Sequence, residues 1–158
     1  MPEFDYQVYL LSQKFTADYP LSKYPELMYK DGRPYTCLLI KTHDDYFLCV
    51  PFRSSINHRF AYHFSSTQRS RRTKSGLDYS KTVVIRDTEY IDSSMPAIVD
   101  QDEYSEMVRN LPQIVEEVFN YVNAYISHKK GVFTLHPREL QRRYAFSTLP
   151  YFDRFFGI

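Results

Sequence analysis

Apolar and polar positions alternate with a period of two through much of the first half of the chain. In residues 5–12 the apolar positions are Tyr6, Val8 and Leu10, a spacing that predicts a strand. Further short runs rich in Val, Ile, Thr, Tyr and Phe predict strands at residues 34–42, 46–52, 59–66, 83–85 and 98–99. The polar residues between the runs at 34–42 and 46–52 suit a hairpin turn, so those two strands are expected to pair. Residues 16–32 are interrupted by prolines and predict a long loop that can hold one short helical turn.

In the second half the pattern changes to a helical period of three and four. Predicted helices cover residues 100–110, 112–130 and 138–146, and an apolar, aromatic tail follows from 149 to 156. The first of these helices is expected to begin at Asp100 as N-cap, with Glu103 as its capping-box partner. The two halves together predict one α+β domain over residues 1–158. Its sheet is mainly antiparallel, with five to seven strands, and its helices are concentrated in the C-terminal half.

Composition adds limits on the compartment of the protein. No apolar run approaches the roughly 18 residues that a membrane span needs, and the first residues do not resemble a signal peptide. A cytoplasmic protein with no membrane partner is therefore expected. Cys37 and Cys49 lie within strand-like segments and are predicted to be buried free thiols.

Charge is strongly segregated along the chain, although the total is only +1. Residues 53–86 carry eight Lys and Arg against Asp78 alone, while residues 87–117 carry nine acids against one Arg. The basic block is interleaved with aromatic rings, a combination that single-stranded nucleic acid binding uses. Its segment 68–76 is predicted to be an exposed, mobile loop. The alternative is that the basic block pairs with the acidic block that follows it.

Several kinds of chemistry are excluded by the sequence. It has no glycine-rich phosphate loop and no HExxH, CxxC or GxSxG motif. The acidic cluster of Asp100, Asp102, Glu103 and Glu106 is explained by helix capping and periodicity, so no metal or other cofactor is expected. The remaining Tyr, Arg, Ser and His side chains suit cleavage of RNA by its own 2′-hydroxyl. That reaction needs a proton acceptor, a proton donor and fixed positive charge.

Two loops are expected to meet at one end of the sheet. The loop at 29–35 leads into the second strand, and the loop at 51–59 leaves the third. Because these strands are hairpin partners, the beginning of one and the end of the other lie together.

The spacing of Tyr29, Arg33 and Tyr35, followed by Tyr46, Pro51 and Ser54, resembles the endoribonuclease toxins of type III toxin–antitoxin systems, the ToxN, CptN and AbiQ group. The resemblance implies a strongly twisted antiparallel sheet similar to that of MazF and Kid. It also implies metal-independent cleavage of single-stranded RNA, in cellular or phage mRNA, to a 2′,3′-cyclic phosphate and a 5′-hydroxyl. A small repetitive pseudoknot RNA would serve as antitoxin in a closed toxin–RNA assembly, with a role in abortive phage infection or plasmid maintenance.

The resemblance assigns Tyr29 and Arg33 to the scissile phosphate and Ser54 to the family's serine position. This sequence departs from the family because Ile56 stands where a lysine is common, so either Arg53 or His58 takes the role of that cation. Arg33 and Arg53 are expected to stabilise charge, Ser54 to orient or relay a proton, and His58 to titrate near neutral pH. The complete predicted catalytic set is Tyr29, Arg33, Arg53, Ser54, Ser55 and His58.

The predicted RNA-binding residues come mainly from the basic block. They are Lys30, Arg59, Tyr62, His63, Arg69, Arg71, Arg72, Lys74 and Lys81. The same features also fit a non-catalytic RNA-binding regulatory domain, for which Ser54 is not needed. A third hypothesis is a protein-interaction domain closed by the acidic helix.

Overall fold

A central antiparallel sheet organises the chain. The computed structural model describes residues 6–30, 35–94 and 97–158. Within these ranges the sheet has seven strands in the order β4-β5-β3-β2-β1-β7, and β6 also pairs with β3. The strands are β1 (Tyr6–Leu11), β2 (Thr36–Lys41), β3 (Phe47–Arg53), β4 (Ala61–His63), β5 (Gly76–Asp78), β6 (Val83–Ile85) and β7 (Ile91–Asp92).

The β2–β3 hairpin at the centre of the sheet confirms the pairing predicted from the turn at 43–45. Its register pairs Cys37 with Pro51 and Lys41 with Phe47. The other edge of β3 is shared, because β6 pairs with its first half and β5 with its last two residues. Between β5 and β6 the chain forms a 3-10 helix at Tyr79–Lys81. This break in the ladder brings the residues around Asp78 to the end of β3.

Gly76 allows the close pairing of β4 with β5. A Cβ atom at this position would stand 2.0 Å from the carbonyl oxygen of Tyr62. Only glycine fits without moving the backbone, since that oxygen belongs to the neighbouring strand. Gly76 also pairs with Arg53, so the same residue sets the position of the end of β3.

Four of the five α-helices in the described ranges follow the sheet strands along the chain. The α-helices are α1 (Gln13–Asp18), α2 (Gln101–Arg109), α3 (Leu111–Lys129), α4 (Pro137–Tyr144) and α5 (Asp153–Phe156). Short 3-10 helices also occur at Pro25–Leu27, Arg69–Arg71, Thr88–Tyr90 and Leu149–Phe152. The α+β architecture with most helices in the C-terminal half is therefore as predicted. Of the predicted loop 16–32, the structure describes residues up to 30, and these hold the end of α1 and a 3-10 turn.

The core lies between the sheet and the C-terminal helices. The long helix α3 buries a face that includes Ile114, Val118 and Tyr125, which are at helical spacing. Cys37 and Cys49 are fully buried free thiols, as predicted. The apolar tail is also packed, because Leu149, Phe152 and Phe156 are buried in the same cluster.

Two local predictions are wrong. Residues 98–99 form no strand, and Ile98 is 87% exposed, because this two-residue apolar run has no neighbouring strand to pair with. The segment 68–76 is not simply an exposed loop, because it contains a 3-10 turn and buries Ser75 and Gly76. Hydrogen bonds and an ion pair with α2 hold this segment in place.

No helix within the described ranges is both long enough and apolar enough to cross a membrane.

Candidate functional site

A cavity of about 530 Å³ lies at the end of β3. The loop before β2 contributes Tyr29 and Lys30, and the loop after β3 contributes Ser54 and Ser55. Arg53, the last residue of β3, also lines it. The two loops that the hairpin geometry was expected to bring together therefore line one site. Arg33 lies outside the described residues.

The backbone is in an unusual conformation at two points of this cavity. Met28 has φ 55° and Ser55 has φ 56°, and these are the non-glycine residues with positive φ in the described ranges. Side chains other than glycine seldom adopt this left-handed region, and such residues concentrate at functional sites. Both residues line the cavity. The loops thus hold these two residues in conformations that local preferences disfavour.

A buried carboxylate, Asp78, fixes the position of Arg53. Nη1 of Arg53 lies 2.9 Å from Oδ2 of Asp78, whose side chain is 1% exposed. Oδ1 of Asp78 accepts hydrogen bonds from the hydroxyl and the backbone N–H of Ser80, at 2.6 and 3.0 Å. The bond to Asp78 is the only side-chain hydrogen bond of Arg53 within the described part of the chain. The guanidinium is therefore anchored through one nitrogen while its other donors remain available at the cavity.

Both ring nitrogens of His58 are occupied by protein groups. The backbone N–H of Phe60 donates to Nδ1 at 3.0 Å, so Nδ1 carries no proton in this arrangement. Nε2 lies 3.2 Å from Oδ1 of Asp78 and 3.3 Å from Oγ of Ser80. His58 is not among the residues that line the cavity. In this geometry His58 supports Asp78 and presents neither nitrogen to a ligand in the cavity.

The surroundings of Asp78 keep it ionised. Burial by itself raises the pKa of this carboxyl, but the hydrogen bonds from His58 and Ser80 and the charge of Arg53 outweigh burial. The pKa of Asp78 is therefore lower than its ordinary value. Arg53 consequently faces a charged partner at neutral pH.

Tyr29 presents its ring to the cavity but directs its hydroxyl into the protein. The hydroxyl donates towards the backbone carbonyls of Tyr19, at 2.9 Å, and Thr16, at 3.2 Å. Its ring meets Tyr35 edge to face with centroids 6.2 Å apart. The hydroxyl of Tyr35 donates to the carbonyl of Lys81, and burial raises the pKa of Tyr35 well above its ordinary value. In this conformation the rings of both tyrosines line the cavity, and neither hydroxyl is available to a ligand there.

Helix α2 binds part of the basic block, which is the alternative that the charge pattern left open. Glu106 accepts hydrogen bonds from the hydroxyls of Tyr62 and Ser66 and from the backbone N–H groups of Ser65 and Ser66. Burial of Glu106 raises its pKa, but these bonds outweigh it and leave the pKa below the usual value. The backbone N–H of Gln68 donates to Asp102 at 2.7 Å.

Arg69 and Glu103 complete this contact with α2. Nε and Nη2 of Arg69 each lie 2.9 Å from a carboxylate oxygen of Glu103 in a two-pronged ion pair. The predicted capping box is therefore wrong, since Glu103 binds Arg69 and Asp100 makes no side-chain capping hydrogen bond. Tertiary contacts determine the role of Glu103 more strongly than its position in the first turn does.

The predicted RNA-binding residues fall into two groups. Lys30, Arg71, Arg72 and Lys74 have exposed side chains, and these make no hydrogen bond or ion pair within the described ranges. The others have protein partners: Arg59 lies 3.6 Å from Glu139, His63 contacts the carbonyl of His58, Tyr62 binds Glu106, and Arg69 binds Glu103. Lys81 is buried, with its ammonium 2.9 Å from Glu26 and 2.6 Å from the carbonyl of Phe146, so it does not form part of a surface for RNA.

Sequence reasoning missed Asp78 as part of the site. The sequence feature that pointed to Asp78 is that it is the one acid among eight Lys and Arg in residues 53–86. Such an acid has many possible partners, and sequence order does not indicate that Arg53, 25 residues earlier, is one of them. The pairing depends on the break between β5 and β6.

Comparisons with protein-family models, with curated proteins and with solved structures gave no match to this chain.

Proposed function

We propose that this chain is a metal-independent endoribonuclease that cleaves single-stranded RNA in the cavity at the end of β3. The observation that carries the proposal is Arg53, which Asp78 anchors beside the exposed hydroxyls of Ser54 and Ser55. A fixed guanidinium next to hydroxyl groups is suited to an oxyanion that develops on a phosphate. Lys30 adds an exposed cation at the same cavity.

In the proposed reaction the 2′-oxygen of one ribose attacks the adjacent phosphorus atom. The 2′-oxygen gives its proton to the hydroxyl oxygen of Ser54, the new P–O2′ bond forms, and the bond from phosphorus to the 5′-oxygen of the next nucleotide breaks. The leaving 5′-oxygen takes up the proton that the Ser54 hydroxyl releases, so the products are a 2′,3′-cyclic phosphate and a 5′-hydroxyl and Ser54 is regenerated. Arg53 stabilises the negative charge of the pentacoordinate phosphorus, and Ser54 relays a proton. Asp78 positions Arg53 and does not contact the substrate.

The biological part of the proposal is a toxin of a type III toxin–antitoxin system with a MazF- or Kid-like core. Its support is the sequence resemblance together with the antiparallel sheet and the meeting of the 29–30 and 53–55 segments at one cavity. A repetitive pseudoknot RNA would inhibit it by covering this cavity and the exposed cations Arg71, Arg72 and Lys74 in a closed toxin–RNA assembly. The cellular role would be phage defence or plasmid maintenance.

Two substitutions test the proposed site. Arg53→Ala and Ser54→Ala are each expected to lower the single-turnover rate of RNA cleavage by about 100-fold or more, because each removes a group that acts on the reacting phosphate. Affinity for a 2′-deoxy analogue, which cannot be cleaved, should stay within about tenfold for Ser54→Ala.

Arg109→Ala is the matched control. Arg109 is an exposed residue at the end of α2 with no side-chain hydrogen bond in the described ranges. The Arg109→Ala variant should cleave RNA at the wild-type rate. Wild-type rates and wild-type growth inhibition in both the Arg53 and Ser54 variants would contradict this assignment.

A second candidate function is RNA binding without cleavage. The occupied nitrogens of His58 favour it, because they leave His58 unavailable as a base in this geometry. This function predicts salt-dependent RNA binding in the absence of any cleavage. A protein-interaction domain, by contrast, predicts no salt-dependent RNA affinity.

A further inference from the structure

Asp100 lines the same cavity but has no role in the proposed cleavage. It precedes α2, where a capping bond was expected, yet its side chain caps nothing. The carboxylate is exposed and makes no hydrogen bond or ion pair within the described part of the chain. Among the described residues, the other charged side chains that line the cavity, except Lys30, are paired: Arg53 with Asp78, and Arg69 with Glu103. The described lining therefore carries two unpaired charges, one cation and one anion.

A ligand that matches this lining carries an anion at one end and hydrogen-bond donors at the other. Lys30, Arg53 and the two serines suit a phosphate, which an unpaired carboxylate repels. Apolar surface lies next to Asp100, since Val99 and Ile98 adjoin it and Phe52 and Met28 also line the cavity. Such surface covers the face of a flat ring. The volume of about 530 Å³ falls within the usual range for small-ligand sites.

We infer that the cavity binds one nucleotide of the RNA with its phosphate at Arg53 and its base at Asp100, and that Asp100 selects guanine. The inference rests on the proposed function and deepens it by naming the base at the site. It depends on the cavity as a whole, with its cation, its hydroxyls, its apolar surface and its unpaired acid, and Asp100 alone would not carry it.

The selection follows from hydrogen-bond chemistry. Guanine presents two adjacent donors, N1–H and the N2 amino group, which match the two oxygens of a carboxylate. Adenine and cytosine present an amino donor beside an unprotonated ring nitrogen, whose lone pair repels a carboxylate oxygen. Uracil presents one N–H between two carbonyl oxygens. A two-pronged contact of this kind discriminates against the wrong base by about tenfold or more.

The substitution Asp100→Asn tests the inference, because a purely structural role of Asp100 would leave the base preference unchanged. Asn serves as well as Asp at a helix N-terminus, so the fold is expected to be retained. Its side-chain amide offers one acceptor and one donor, which no longer match the two adjacent donors of guanine and which can pair with an edge of any of the four bases. The expected result is loss of the preference for guanine.

The experiment titrates the four ribonucleoside 3′-monophosphates into the full-length protein, in EDTA, by calorimetry. Wild type should bind the guanine nucleotide about tenfold more tightly than any other, and Asp100→Asn should bind the four nucleotides without this preference. Glu116→Gln, the same change of charge at an exposed position of α3, should keep the wild-type order. Mapping of cleavage sites in a random-sequence RNA provides a second reading of the same preference.

The outcomes separate this inference from the proposed function. Cleavage with no preference for guanine, or with the same preference in Asp100→Asn, overturns the inference and leaves the nuclease standing. Guanine selectivity that changes in the variant, without cleavage of any RNA, supports the inference and overturns the nuclease. Failure of all four nucleotides to bind overturns the inference.

Discussion

At the scale of single residues, Asp78 has the largest influence on the site. Its buried carboxylate forms an ion pair with Arg53, contacts Nε2 of His58 and accepts a hydrogen bond from the backbone N–H of Ser80. Removing one member of a buried charge pair is costly because the remaining charge is left without a partner. Here the side chains of the two partners, Arg53 and His58, are partly exposed, at 24% and 35%, so water lessens the effect.

Asp78→Asn is expected to lower the free energy of unfolding by about 2 kcal/mol at neutral pH. The pKa of Asp78 is lowered on folding, so its stabilisation is complete above the ordinary value of 3.8 and is lost as the pH falls through the lower folded-state value. The difference in the free energy of unfolding between wild type and variant should therefore shrink below about pH 3.8. Urea denaturation over a range of pH measures this difference.

Asp87→Asn is the control for this prediction. Asp87 also pairs with a cation, Lys14, at 2.8 Å, but both side chains are more than 40% exposed. Exposed pairs contribute little to stability, so this variant should unfold close to wild type. An equal loss of stability in the two variants would show that the cluster around Asp78 is not special.

The meeting of the two loops at one cavity was predictable from the sequence. Arg53 and Ser54 were placed beside Tyr29 and Lys30 because a hairpin brings the ends of its strands together. The sequence did not predict that Asp78 lies there. Its position depends on the break between β5 and β6, and that break forms only when the sheet is packed. The role of His58 was also beyond the sequence, since its hydrogen bonds to Phe60 and Asp78 exist only in the folded loop.

At the scale of elements, α2 controls the segment that carries the basic block. Its carboxylates replace the water that would otherwise solvate the backbone N–H groups of Ser65, Ser66 and Gln68. The boundary between α2 and α3 was predictable because Pro112, which has no backbone N–H to donate, stands in the first turn of α3. The use of Glu103 and Glu106 was not, because both bind residues more than 30 positions away along the chain.

Glu106→Gln is expected to loosen this segment. The amide keeps one acceptor oxygen, but its NH₂ group then faces the donors of Ser65, Ser66 and Tyr62. Hydrogen exchange at the backbone N–H groups of Ser65 and Ser66 should become about tenfold faster or more, which corresponds to about 1.4 kcal/mol of local stability. The rates are measured by NMR-detected exchange.

Glu116→Gln makes the same chemical change on the exposed side of α3 and should leave these exchange rates unaltered. Unchanged rates in Glu106→Gln would mean that the segment is ordered without the contacts from α2.

At the scale of the whole molecule, cations that are neighbours in the sequence have different positions in the structure. Of the cations in residues 53–86, Lys74 is exposed and Lys81 is buried against Glu26 and the carbonyl of Phe146. Charge counted along the sequence therefore overstates the positive charge that lies at the surface. The fold decides which of these positive charges remain available.

Replacing each lysine by methionine separates the two roles. Lys74→Met should weaken RNA binding and reduce the slope of log affinity against log salt by about 1, with little effect on stability. Lys81→Met should leave RNA affinity within about twofold but lower the free energy of unfolding by about 2 kcal/mol, because it leaves Glu26 without its partner. Binding measured over a series of salt concentrations and urea denaturation provide the two readings. Loss of the salt slope in Lys81→Met, with wild-type stability, would contradict the buried position of Lys81.

The most direct test of the proposed activity is incubation of the purified protein with a defined single-stranded RNA in excess EDTA, followed by chemical mapping of the product ends. The account predicts cleavage that leaves a 2′,3′-cyclic phosphate and a 5′-hydroxyl, and that is lost in Arg53→Ala. Intact RNA, or products with a 5′-phosphate, would contradict it.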